Sequence, residues 1–196
     1  MYPYNFKKGQ TIQTDVNGVA CDRVFPAHFQ IEATKATAQS NINVHAAIAL
    51  TAEAATITTA ITQPSVPRNI VIKGNAAGIV GNVVINGKNY LDEVITETIA
   101  LNGATAVVGA KAFKAITNIV MPIETHAGTD TVSVGTGEVL GLPYKLAHNT
   151  VLATYMDNTL EGTAAIVTIS ATAIESNTID PNTALSGKVV DVYLLV

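Results

Sequence analysis

The carboxylates Asp92, Glu93 and Glu97 are the nearest approach in this chain to the paired acids that move a proton across a glycosidic bond. Their spacing argues against that use. Adjacent residues on a strand point to opposite faces, so Asp92 and Glu93 diverge. Glu93 and Glu97 share a face, where they read as ordinary charge on the outer side of a sheet. His126, between Glu124 and Asp130, is the closest approach to a metal cluster, but it stands in a glycine-containing stretch that reads as a solvated turn. The acids there lack the repeated loop pattern of a calcium hand. His28, His45 and His148 lie far apart in sequence, and none pairs with another at helical spacing. No metal site is expected.

Gly81 to Lys88 imitates a phosphate-binding loop without meeting its requirements. Five residues rather than four separate Gly81 from Gly87, and Asn89 stands where a hydroxyl should meet magnesium. Both flanks read as strand, so no helix N-terminus is available to a phosphate. Gly135-Thr136-Gly137 with Gly141 misses the dinucleotide spacing and reads as a loop. The serines lack the surroundings of a nucleophile elbow. A lone cysteine, Cys21, cannot form an internal disulfide; it reads as a small buried hydrophobe in a protein assembled under reducing conditions. No catalytic residue and no cofactor is expected, so the chain does not read as an enzyme.

The elements that would have to position any site are short strands. Of the 196 residues, 48% are hydrophobic and only 13% charged, against about 25% in an ordinary soluble domain. From Ala36 through Pro67 the only charged side chain is Glu53. Period-two alternation predicts strands at Thr56–Thr62, Arg68–Lys73, Asn82–Ile85, Glu93–Leu101, Lys114–Met121, Thr131–Val134, Val139–Leu142, Val151–Tyr155, Ala164–Ile174 and Lys188–Leu195. Phe29 to Asn41 is open to either helix or strand. Asn86-Gly87 and Asn102-Gly103 predict tight hairpin turns, since both residue types tolerate positive φ. The fold class is therefore all-β, a β-sandwich or barrel-like domain over 46–196. Residues 1–45 are read as an extended N-terminal arm and a connecting segment.

Tyr2, Tyr4, Phe6, Lys7 and Lys8 make the arm the best interaction signal, because aromatic rings supply contact area and lysine stems cover apolar surface. The remaining cations are scattered and the net charge is −4, so nucleic acid is not an expected partner. Thr, Asn and Gly interrupt every apolar run before it could span a bilayer, and no apolar core adjoins the lysines, so neither a membrane span nor a secretory leader is expected.

Six central segments, Ile61–Ile70, Gly81–Gly87, Ile95–Gly103, Lys111–Ile116, Asp130–Gly135 and Leu140–Tyr144, together resemble a family of small β-rich virion structural proteins of tailed bacteriophages. The resemblance covers about residues 45–150 and includes the order of the pieces. It implies a capsid decoration (cement) protein, with a tail or baseplate component as the alternative. It also implies the major capsid protein and neighbouring copies of the chain, as a homotrimer, for partners. The location it implies is the capsid surface of a particle assembled in the host cytoplasm, and it offers no catalytic residue. Composition agrees with such a role, since weakly charged Thr- and Ala-rich faces pack closely on a lattice. A carbohydrate-binding β-sandwich for host adhesion is a further reading, weakened by the absence of Trp.

Overall fold

Alternating and β-branched residues carry the chain into sixteen short strands among the described residues, where a 3-10 turn at Ile174–Ser176 is the one helical element. The computed structural model describes residues 11–13, 20–22, 24–126 and 128–196. The strands are β1 (Thr11–Gln13), β2 (Ala20–Asp22), β3 (Pro26–Ile31), β4 (Ser40–Ala49), β5 (Ala55–Ile57), β6 (Arg68–Gly74), β7 (Asn82–Lys88) and β8 (Val94–Ala100). They continue as β9 (Val107–Val108), β10 (Ala115–Met121), β11 (Thr131–Gly141), β12 (Val151–Met156), β13 (Thr159–Leu160), β14 (Ile166–Thr168), β15 (Thr178–Asp180) and β16 (Val190–Leu195).

Beyond the pair β1–β2 the described residues form three sheets, all antiparallel: β5-β10-β7-β8, β14-β15-β11-β6-β9 with β4 also on β11, and β13-β12-β16-β3. β11 ties the molecule together. Its first half sends Val132 and Val134 into a core with Ile70 and Ile72 of β6 and with Val83, Ile85, Ile119 and Phe113. Its far end places Leu140 in a second core with Leu142, Ile179, Val190, Val192 and Leu194. Each buried Ile, Leu or Phe contributes about 1.5–3 kcal/mol, so these cores hold the sheets face to face as an all-β sandwich.

The structure corrects several expectations. Residues 26–45 are not arm or connector: β3 pairs with β16 from Val190↔Ile31 to Leu195↔Pro26, and β4 pairs with β11. The period-two face of Phe29 and Ile31 settles the competition there, because it packs on the second core. Residues 1–10, and with them Tyr2, Tyr4, Phe6, Lys7 and Lys8, lie outside the described residues. Cys21 lies on β2.

Asn86-Gly87 is not a turn. It lies inside β7 at a bulge against β10, where the register shifts between Ile116 and Asn118. Asn86 is held there by Asn118 and Thr96, at 2.8 and 2.7 Å. The β7–β8 hairpin turns three residues later, where the Asn89 side chain accepts the N–H groups of Leu91 and Glu93 and Asp92 takes φ +64°. Asn102-Gly103 does turn: Gly103 has φ +56° and Thr105 N–H donates to the Asn102 carbonyl at 3.0 Å. Gly135-Thr136-Gly137 is the middle of β11 and not a loop. The strand predicted over Thr56–Thr62 ends at Ile57, with Ala60 in the left-handed region at φ +56°. That predicted over Ala164–Ile174 shrinks to β14.

Candidate functional site

The three acids singled out by spacing serve three separate structural tasks. Asp92 is exposed and pairs with Lys114 at 2.8 Å; that hydrogen bond holds its carboxyl below the ordinary value. Glu93 accepts from the Asn89 side chain at 2.8 Å and so braces the hairpin turn. Glu97 does not stand on the outer side of the sheet. It shares the inward face of β8 with Ile95 and Ile99. Its Oε1 accepts the N–H groups of Ala110 and Lys111 at 2.6 and 3.2 Å, while its buried Oε2 has no partner among the described residues.

Burial pushes the Glu97 carboxyl above its ordinary 4.5, against the pull of its two N–H partners and Lys111. The fold therefore disfavours the charged form. Whatever Glu97 contributes to stability is fully present below the unfolded value and is lost as pH rises through the raised folded value. Glu97→Gln should lack this dependence. The stability of the wild type relative to the variant is expected to fall as pH is raised from about 4.5, as measured by urea denaturation; a flat difference would show that Glu97 titrates as if unfolded.

His126 Nδ1 lies 3.1 Å from Asp130 Oδ1, and Asp130 is buried, so the pair is a fastened corner rather than a solvated turn. Glu124 does not join it, and among the described residues no three His, Cys, Asp or Glu side chains converge as ligands for a metal. A second acidic group lies around Asp180, whose carboxyl is pushed up by burial and then by Glu138 and Glu161. Glu138 and Glu161 are occupied by backbone: Glu138 accepts from Gln39 and Leu185, Glu161 from Thr183.

Two surface features remain. The first is an apolar band at the edge strands β13, β14 and β9. Leu160 is 56% exposed, Ile166 71% and Val108 56%, and Leu152 at the β12 bulge is 65% exposed. Two adjoining clefts of about 470 and 200 Å³ run along this band and share Ala164; Val108 and Ile166 line one together with Glu138 and Asp180, Leu152 and Leu160 the other together with Glu161. The second is a ring-lined corner on the outer face of the β13-β12-β16-β3 sheet, formed by Tyr155, Tyr193, His28 and Asp191.

Neither a protein-family model, nor a curated protein, nor a solved structure matches this chain.

The band and the corner both escaped sequence reasoning. Leu152 and Ile166 fall inside predicted strands and Val108 and Leu160 inside none, because a bulge or a sheet edge is set by partners distant in sequence. Asp191 and Tyr193 do alternate with Val190 and Val192, which is the signal that marks them as sharing the outer face. Nothing in that alternation brings His28 and Tyr155 beside them.

Proposed function

We propose that this chain is a structural virion protein that binds an assembled capsid surface and reinforces it. The observation that carries the reading is the apolar band along β13, β14 and β9. Scattered exposed apolar residues are ordinary, but contiguous ones beside unpaired strand edges are the surfaces proteins cover by association. The resemblance of residues 45–150 to virion structural proteins supplies the setting, with the major capsid protein and further copies of the chain as the partners. Cyclic closure into a trimer would satisfy the band in every copy at once.

The reading is tested on purified expanded capsids. Wild-type protein is expected to bind to saturation. Leu152→Lys with Ile166→Lys, the latter opposite Asp180, should reduce occupancy at least about tenfold, since two desolvated charges in a contact each cost over 1 kcal/mol. The melting temperature should hardly move, because both side chains already face water. Equal occupancy of variant and wild type would remove the band from the contact, and no binding of wild type would remove the capsid as the partner.

A further inference from the structure

The register of the β13-β12-β16-β3 sheet collects one set of side chains on its outer face. Tyr155 of β12 lies opposite Asp191 of β16, Ala153 opposite Tyr193, and β3 adds His28 opposite Tyr193 and Gln30 opposite Asp191. The intervening Val192 and Thr154 are buried on the other face. An outer sheet face usually carries solvated polar groups. Here the Tyr193 ring stacks on His28 at 4.6 Å and meets the Tyr155 ring at 5.7 Å and 82°. The two phenol rings thus stand as the walls of a corner. They line a cavity of about 300 Å³ with Ala153, Asn158 and Asp191.

Asp191 decides what this corner takes. It is only 5% exposed. Its Oδ1 receives two donors, His28 Nε2 at 2.7 Å and Gln30 Nε2 at 2.8 Å. Its Oδ2 receives none among the described residues. That oxygen is not sealed away from solvent but faces the cavity, and an ionised carboxylate can only accept. A ligand that settles on Oδ2 is therefore a donor.

We propose that the corner is a binding site for a guanidinium group, supplied by a free arginine-like molecule or by an arginine side chain of a partner protein. Ring faces and the carboxylate both present negative potential, so the cavity favours positive charge. A sugar hydroxyl could donate to Oδ2 but would leave that potential uncompensated. A quaternary ammonium would answer the potential but has no N–H to give. A guanidinium does both, because its plane lies flat on a ring while its N–H groups donate at the edge. The small Ala153 side chain leaves room for that plane. The corner has this chemistry whether or not the chain belongs to a virion.

The test is a nuclear magnetic resonance titration of the full chain with N-acetyl-L-arginine N-methylamide, its neutral citrulline counterpart, choline, free L-arginine and methyl α-glucopyranoside. The arginine derivative is expected to shift Ala153, Tyr155, Asp191 and Tyr193 and to bind at least about tenfold more tightly than the citrulline derivative or choline. Asp191→Asn, which keeps the shape, should lose about tenfold in affinity, and so should Tyr193→Leu, at a position 41% exposed. Free L-arginine binding more tightly than the blocked derivative would identify a small-molecule ligand, and equal binding would identify a side chain; both support the site. Equal binding of the citrulline derivative or choline, preference for the glucoside, or no shift at about 20 mM would overturn it. So would full affinity in folded Asp191→Asn.

Discussion

Arg68→Met is expected to destabilise the protein by about 3 kcal/mol, measured as a lower urea midpoint at unchanged slope. Arg68 opens β6 and is fully buried. Its Nε and Nη2 donate to the Gly137 carbonyl, and Nη1 donates to the carbonyl and hydroxyl of Thr37, each at 3.0 Å. No carboxylate lies within salt-bridge distance among the described residues. Burial lowers the Arg68 pKa, and the nearby Glu138 charge opposes that only in part. Replacing a whole buried ion pair by apolar groups is often harmless. Here the acceptors besides the Thr37 hydroxyl are backbone carbonyls that no substitution removes. Met would fill most of the volume and leave the buried Gly137 carbonyl without a donor. Lys should recover little, because one ammonium cannot reach both Gly137 and Thr37 with the guanidinium's fork. A Met variant as stable as the wild type would mean that water replaces the guanidinium without loss.

Gly135→Ala is expected to be at least as damaging, about 3 kcal/mol or complete loss of folding. A Cβ at this position would fall inside the Ser40 carbonyl oxygen and within 2.6 and 2.7 Å of the Ser40 and Asn41 carbonyl carbons. Those atoms are backbone of β4, laid directly against β11, so no side chain can swing aside. At Gly137 the obstacle is instead the Asn69 side chain, with its Cγ at 2.8 Å. Asn69 is itself committed, donating to the Gly109 carbonyl at 2.9 Å. Gly137→Ala should therefore also destabilise, though less. A methyl added at Gly162 would meet nothing within 4 Å, and Gly162→Ala should stay within about 0.5 kcal/mol of wild type. Thermal and urea melts of the three variants rank them. If Gly135→Ala matched Gly162→Ala, the β4–β11 approach would have to be looser than described.

These glycines show where sequence reading stops. Gly135-Thr136-Gly137 and Asn86-Gly87 look like turns because local chemistry permits a turn. They are strands because a second backbone, or a bulge on a neighbouring strand, needs the space a Cβ would take. Asn102-Gly103 carries the same local signal and does turn, with Gly103 at φ +56° and its backbone bonded to Gly74 and Ile79. Glu97 is a parallel case. Its place in the alternation with Ile95 and Ile99 was legible, but that this face looks inward was decided by the segment carrying Ala110 and Lys111.

What the sequence determined by itself is the all-β class, the place of most strands and the absence of any local catalytic pattern, because period-two burial and proline or glycine punctuation are properties of neighbouring residues. Tertiary structure decided the rest. It took residues 26–45 out of the arm and into the sheets, let β11 join two cores, and set Tyr155, Tyr193, His28 and Asp191 around one corner. Those four residues are contributed by three strands from opposite ends of the chain. Strand register alone brings them together, and register is fixed by long-range packing that no local window contains.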